Sequence, residues 1–374
     1  MRSKAFFVNG GAGRVISSIP AFEKYAETHD DFIIVCEGGT DFFKGHPTLD
    51  SKVYDHWHKN LFQEHIKHRD CESPEPYRVW DYYNQNCSLA QAYDIAINGL
   101  DGPRELPKPR VELNKMEIIQ GYNIIQEIKA TTKKDKVIVI QPFGRSVEQM
   151  GEFIADPTSR SMSLTGVVDI INALKKDYAV IIMSEVHFAT EEDESKHPIA
   201  RPQLSDMRVW SAVIEIADHF LGCDSMGQHI AMALDTTTTM VCGSTFPVNI
   251  SYPDNENMDI IDVGKDNGRS YSPIRVCIDE VVDRANDECM EMTEAHKKAV
   301  IDSVKKRMGK PAAYTGDFQV QNKDYANACC DKPQQQSLPQ SNKPKIKFDA
   351  SKTKGFGQIE TSNPDVKNIL QKLK

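Results

Sequence analysis

Short apolar runs, each followed by a stretch with helical periodicity, recur along this chain, and they restrict its fold more than any other feature. The clearest is Lys136-Val-Ile-Val-Ile-Gln141, apolar at consecutive positions and therefore buried on both faces. Such a strand needs cover above and below, and a helix between successive strands supplies it, so the pattern predicts parallel sheets in an α/β chain. A first series starts with a strand at residues 4–8. The glycine turn Asn9-Gly10-Gly11-Ala12-Gly13 follows, and then Val15, Ile16, Ile19, Phe22 and Tyr25 at helical spacing. Pro20 lies inside that helix, where it bends it or marks a late start. Residues 31–35 read as a second strand closed by Glu37-Gly38-Gly39, with weaker strands near 52–54 and 93–97 and a helix over 112–131.

The second series starts at 136–141. Helices over 164–175, 205–217 and 226–234 alternate with strands over 178–183, 219–222 and 238–242, and helices over 278–288 and 293–308 close it. A chain of 374 residues exceeds the usual single domain. The expected organisation is therefore two Rossmann-like domains, 1–131 and 132–310, facing each other across a cleft, with a linker and tail helix over 311–374. Residues 329–347 lack a core pattern, and Asn363-Pro364-Asp365 is a helix-start signal ahead of Val366, Ile369, Leu370 and Leu373.

Forty per cent hydrophobic and 26 per cent charged residues are globular proportions. No apolar run approaches the roughly 20 residues of a membrane-spanning helix. The first apolar run meets a glycine turn too soon to serve as a signal-peptide core. Nine cysteines without CxxC spacing give no disulfide framework, so a reducing cytoplasm is expected. The net charge of −9 offers nucleic acid no global attraction. Basic residues do gather at 65–69, at Lys108, Arg110 and Lys115, and along 343–354. Modified DNA or an anionic lipid surface, met peripherally, would be drawn to those patches.

In parallel α/β sheets ligands bind beyond the carboxyl ends of strands, at helix N-termini. Three loops have that placement. Asn9–Ser18 offers Gly11 and Gly13 for close backbone approach, Arg14 to pair with a phosphate, and the hydroxyls of Ser17 and Ser18; the alternative is a tight turn that packs helix on strand. Gln141-Pro-Phe-Gly-Arg-Ser146 offers Arg145 as a diphosphate partner, or as a solvated loop arginine. Cys223-Asp-Ser-Met-Gly-Gln-His229 opens a helix, and there Asp224, Ser225, Gly227, Gln228 and His229 suit phosphate oxygens. Its plainer reading is a helix cap beside a satisfied core histidine. His56, His58, His65, His68 and Cys71 fall close together, with His65 and His68 on one helix face, so a zinc site is the alternative to a polar, acceptor-facing insertion; their spacing fits no standard metal motif, and no metal is assigned to them.

The segment CDSMGQHIAMALDTTTTMVCGSTFP at 223–247 resembles the Asp-Ser-Gly-x-x-His-Leu-Ala-x-Ala-Leu…Pro-Thr…Phe-Gly-Pro-Thr-x-Pro segment of the ADP-heptose:lipopolysaccharide heptosyltransferases, glycosyltransferases of GT-B architecture. GRVISSIPAFEKY, VIVIQPFGRS and PIRVCIDEVVDRANDEC parallel further family segments across residues 1–290. The resemblance implies a nucleotide-diphosphate sugar as co-substrate, no separate cofactor, and an acceptor in the first domain. It places Asp224, Ser225, Gly227 and His229 on the diphosphate and sugar, Arg145 as the basic phosphate ligand, and Ser244 and Thr245 at the border. The chain departs from the family at two points. Met226 separates Ser225 from Gly227, and Gly13-Arg14 stands where the family has Gly-Asp, its proposed catalytic base.

An inverting transfer needs a base near the attacking hydroxyl and positive charge or amides for the departing diphosphate. Glu37, Asp41 and Asp101 are the candidate bases, with a mechanism that uses no dedicated base as the alternative, and Arg14 is a candidate for the leaving phosphate. The acceptor is a saccharide, as on lipopolysaccharide, or a hydroxymethylated pyrimidine in DNA. A sugar-nucleotide epimerase and a non-catalytic sugar-nucleotide binder are the competing functions.

Overall fold

The structure is a computed structural model that describes residues 3–150, 153–156, 158–190, 196–269 and 288–316. The expected helices over 278–288 and 363–373 and the linker over 329–347 fall wholly or almost wholly outside these residues. The first half runs β1 (Lys4–Val8), α1 (Ala12–Ala26), β2 (Phe32–Cys36), β3 (Val53–Asp55), β4 (Asp70–Glu72), α2 (Trp80–Tyr83), α3 (Leu89–Asn98) and α4 (Lys115–Thr132). The second runs β5 (Val137–Gln141), β6 (Glu148–Met150), β7 (Phe153–Ala155), α5 (Leu164–Leu174), β8 (Ala179–Ile182), β9 (Ile199–Ala200), α6 (Met207–Ile216), β10 (His219–Cys223), α7 (Met226–Ala233), β11 (Thr238–Cys242), β12 (Met258–Asp262) and α8 (Glu294–Met308).

Two all-parallel sheets result, ordered β3-β2-β1-β4 and β12-β11-β10-β5-β8-β9, beside a small antiparallel β6-β7 hairpin. β2, β5, β10 and β11 are buried along their whole length, as strands apolar on both faces must be. In each sheet the chain reverses its lateral direction near the centre: at β1, with β2 on one side and β4 on the other, and between β5 and β10. Crevices for ligands form outside the carboxyl ends of strands at such points. The fold is the expected α/β arrangement of GT-B type.

The 93–97 segment is not a strand. It lies within α3, whose start is a capping box: the Gln91 N–H donates to Ser88 Oγ at 3.3 Å, and the Ser88 N–H donates to Gln91 Oε1 at 3.0 Å. Gly99 ends the helix in the left-handed region at φ 64°. These end signals outweigh the alternation of Tyr93, Ile95 and Ile97. Pro20 removes one helical donor, yet α1 continues through it with Ile16, Ile19 and Phe22 fully buried.

Helices α4 and α6 meet closely because Gly121 has no side chain; a Cβ there would stand 2.7 Å from Ala212 Cβ. Arg208 secures the contact, with Nε and Nη2 each donating to the Glu117 carboxylate at 2.8 Å. One apolar cluster runs from Phe6 and Ile34 through Ile19, Phe22 and Ile125 to Val213, Ile230, Phe220 and Val139. The other face of the second sheet packs Ile138 and Ile140 with Ile171 of α5 and with Val300 and Val304 of α8. Among the described residues no helix is long and apolar enough to cross a membrane.

Candidate functional site

β10 enters α7 through a turn that tolerates no bulk. A Cβ on Gly222 would stand 2.7 Å from Phe220 Cε1 and 3.1 Å from the Gln141 carbonyl, and one on Gly227 would overlap Gln141 Oε1 and Phe220 Cζ. Ser225 is the N-cap, but its own side chain caps nothing. Gln141, the last residue of β5, does that work: its Oε1 accepts from the Gly227 N–H at 2.8 Å, and its Nε2 donates to Ser225 Oγ at 3.2 Å. Asp224 accepts from Thr245 Oγ1 at 2.7 Å and from Gln228 Nε2 at 3.1 Å. Adjacent strands thus hold the turn by side chains from both sides.

The first turn of α1 abuts this turn. Gly10 has φ +101°, a conformation suited to glycine, and its N–H donates to Glu37 Oε2 at 2.6 Å. Gly11 is the N-cap of α1. A Cβ on Gly13 would stand 3.0 Å from His229 Cδ2 and 3.6 Å from Met226 Cα, so two helix N-termini, one from each half, converge here. The inserted Met226 is the first residue of α7 and forms part of that junction.

The hydrogen-bond pattern assigns the proton of His229 to Nδ1. Ser17 Oγ donates to the Gly13 carbonyl at 2.8 Å and is therefore free to accept from His229 Nδ1 at 3.2 Å. Nε2 then accepts from Gln228 Nε2 at 3.4 Å. Burial pushes the imidazole pKa down to about 4; Asp224 acts against that shift and Arg160 adds to it. His229 is 4% exposed and neutral, and its Nδ1–H ties α7 to α1.

Three arginines surround the junction. Arg145 is exposed, with Nη1 3.6 Å from the position of a Cβ on Gly11. Arg160 Nη1 donates to the Asp224 carbonyl at 3.4 Å. Burial works against its charge, but Asp224, Tyr77 and Asp156 raise its pKa. Asp156 in turn accepts from the Thr158 N–H and Oγ1 at 2.8 and 2.6 Å and from the Ser161 N–H and Oγ at 2.9 and 2.5 Å. Burial would raise its carboxyl pKa, and these donors with Arg160 hold it below the usual carboxylate range instead. Arg14 Nε donates to Tyr93 OH at 2.8 Å, and its Nη2 donates to Glu75 Oε1 and Oε2 at 3.3 and 3.4 Å.

Gly11, Gly13, Arg145, Asp224, Ser225, Gly227, Gln228, His229 and Thr245 therefore gather in one place. Ser244 is 4% exposed and donates from Oγ to the Thr158 carbonyl at 3.3 Å, behind the loop that carries Arg160. Glu37 holds the glycine turn. Asp41 pairs with Lys44, and its carbonyl accepts from Arg208 Nη1 at 3.0 Å, on the α6 side of α1. Asp101 is exposed beyond α3, at the end where Asn98 Nδ2 donates to the Ala21 carbonyl at 3.0 Å; the glycine turn lies at the other end of α1. Among the described residues no three of His, Cys, Asp or Glu form a group that could hold a metal, and this includes His56, His58, His65, His68 and Cys71.

Gln141, Arg160, Asp156 and Glu75 were not foreseen from the sequence, and Ser17, expected to offer its hydroxyl to a ligand, bonds His229 and the Gly13 carbonyl. Gln141 stood inside a loop already singled out, and the polar end of an otherwise apolar strand was the available signal for it. Arg160 and Glu75 lie in irregular segments that carry no local signal.

No protein-family model matches the sequence, and no curated protein matches it. Its fold is similar to solved structures of two glycosyltransferases. One is the glycosyl transferase family 9 protein from Veillonella parvula DSM 2008, 10% identical over 82% of this chain and 97% of that one, with a TM-score of 0.53. The other is the iron-containing dodecameric glycosyltransferase TibC from enterotoxigenic E. coli H10407, 14% identical over 82% of this chain and 78% of that one, with a TM-score of 0.52. The iron named for TibC has no matching ligand set among the residues described here.

Proposed function

We propose that the chain is a glycosyltransferase that moves a sugar, with inversion, from a nucleotide-diphosphate sugar to a hydroxyl acceptor. The donor would rest on residues 132–310 and the acceptor on residues 1–131. One observation carries this reading: the N-termini of α1 and α7 converge at Gly13 and Met226, with Arg145 and Arg160 beside them. Helix N-termini present free N–H groups and positive dipole ends, and arginines add full charges suited to phosphate. Such a site favours the diphosphate more as it departs and gains charge. Because arginines and amides supply that positive field, the transfer is read as metal-independent. The similarity of fold to two glycosyltransferases points the same way, and a saccharide acceptor follows from the heptosyltransferase-like motif.

Calorimetric titration with ADP, UDP, GDP and CDP at one fixed salt concentration tests the donor site. At least one diphosphate should bind, and Asp224→Ala should weaken it about tenfold or more. Failure of all four to bind would sink the reading. Product analysis with the corresponding sugar nucleotides then separates the functions. A glycosylated saccharide supports the proposal, whereas glycosylated hydroxymethyl-DNA moves the acceptor to nucleic acid. Epimerised free donor points to an epimerase, and unchanged donor to a binder without turnover.

A further inference from the structure

Glu37 is engaged with the Gly10 N–H, Asp41 pairs with Lys44 and Asp101 lies beyond α3, whereas a fourth acid stands beside Arg14. Parallel pairing of Phe6 with Glu72 delivers the chain after β4 to the carboxyl edge of the first sheet, next to the glycine turn. Ser73 anchors it there: its Oγ donates to the Phe7 carbonyl at 3.4 Å and accepts from Asn9 Nδ2 at 3.1 Å. Glu75 follows. Its side chain is 32% exposed, and Arg14 Nη2 is shared between its two oxygens at 3.3 and 3.4 Å, which leaves lone pairs on both.

Arg14 is itself fixed. Its Nε donates to the fully buried Tyr93, and its guanidinium lies 5.2 Å from the centroid of the Tyr77 ring. Glu75, Arg14, Tyr77 and Tyr93 thus form one linked set at the first turn of α1. The other carboxylates nearby have less to offer an acceptor. Asp156 already takes four donors and Asp224 two, and Glu37 Oε2 is held by the Gly10 N–H at 2.6 Å.

We propose that Glu75 is the general base of the transfer and that Arg14 is the residue that positions it. This inference rests on the sugar-transfer reading above. The acceptor oxygen attacks the anomeric carbon while the Glu75 carboxylate takes the hydroxyl proton. The bond from that carbon to the diphosphate oxygen breaks, and its electron pair leaves with the diphosphate. The first half then supplies a base at the place where Arg14 replaces the acid of the heptosyltransferase pattern. The carboxylate comes from the loop after β4 instead of from α1.

A positioned base is worth about 10²–10⁴ in rate. Nucleotide release from ADP-, UDP-, GDP- and CDP-sugars, with saccharide or water as acceptor, is measured for the wild type, Glu75→Gln, Glu75→Asp, Arg14→Lys and Glu37→Gln. Glu75→Gln should lose at least a hundredfold in kcat, together with the acid limb of its pH profile, while its calorimetric Kd for the nucleotide stays within twofold. Glu75→Asp should recover part of that rate, which also guards against a misfolded Gln variant. Arg14→Lys should lower kcat about tenfold without changing KM for the donor. Turnover by Glu75→Gln within threefold of wild type, or a hundredfold loss in Glu37→Gln instead, overturns the assignment of the base alone. A wild type that binds no nucleotide, or releases none from any donor, overturns the sugar-transfer reading and this inference with it.

Discussion

The two helix starts that meet at the junction are built in opposite ways. At α7 the turn is defined by side chains: Gln141 holds Ser225 and Gly227, Thr245 and Gln228 hold Asp224, and His229 reaches Ser17. At α1 side chains do less: Glu37 accepts from the Gly10 N–H at 2.6 Å, Gly13 lies against His229, and the N-cap Gly11 has no side-chain partner. One turn is braced by side chains on both flanks, and the other leaves the Gly11 backbone with only Arg145 close by. A preorganised side suits a charged group that must be gripped identically every time, whereas an uncovered side suits a partner whose shape is not dictated by phosphate.

The contrast breaks most readily at Gly227. If α7 is a packed turn, Gly227→Ala should cost about 3 kcal/mol by overpacking against Gln141 and Phe220, read as a shift in denaturant midpoint. A neutral result would mean that the turn has slack, and the distinction between the two sides would fail. Acid sharpens the contrast next. The folded pKa of His229 is lowered to about 4 against about 6.5 in the unfolded chain, so between those values the unfolded chain binds a proton that the folded chain refuses. Stability from this group is complete above about pH 6.5 and is lost as pH falls. Lowering the pH from 7 to 5 should cost the wild type about 2 kcal/mol more than His229→Gln. His219, lowered to about 3 by burial, acts with the same sign in both proteins and cancels from the comparison.

The smallest effect is expected at the exposed rim. Arg145→Ala should weaken nucleotide diphosphate binding by about tenfold, or 1.4 kcal/mol, while thermal stability stays within about 0.5 kcal/mol. Loss of stability with unchanged binding would place Arg145 with the packed turn instead of the ligand.

The central strands were legible because burial on both faces leaves an apolar run, as in residues 137–141 and 238–242. The edges were not. Asp70-Cys-Glu72 carries no apolar signature because β4 is an edge strand with two of its three residues exposed, and it still decides the site by bringing Glu75 beside Arg14. The α7 turn could be read locally, since its polar residues are consecutive. Its support from Gln141 depends on β5 lying beside β10, which is a fact of sheet order and not of spacing. The placement of Arg160 likewise needs the loop after β7 to fold back, and no periodicity announces that.

The apolar cluster that joins Phe6 and Phe22 to Ile125, Val213 and Phe220 carries a consequence for how a substrate enters. Swinging the halves apart would wet side chains that are dry at rest, at about 25 cal/mol for each square ångström uncovered. Entry should therefore run along the lip formed by the glycine turn and the Arg145 loop, like a card pushed into a slot. Cross-linking that lip shut should block catalysis more completely than stapling the halves together at their base.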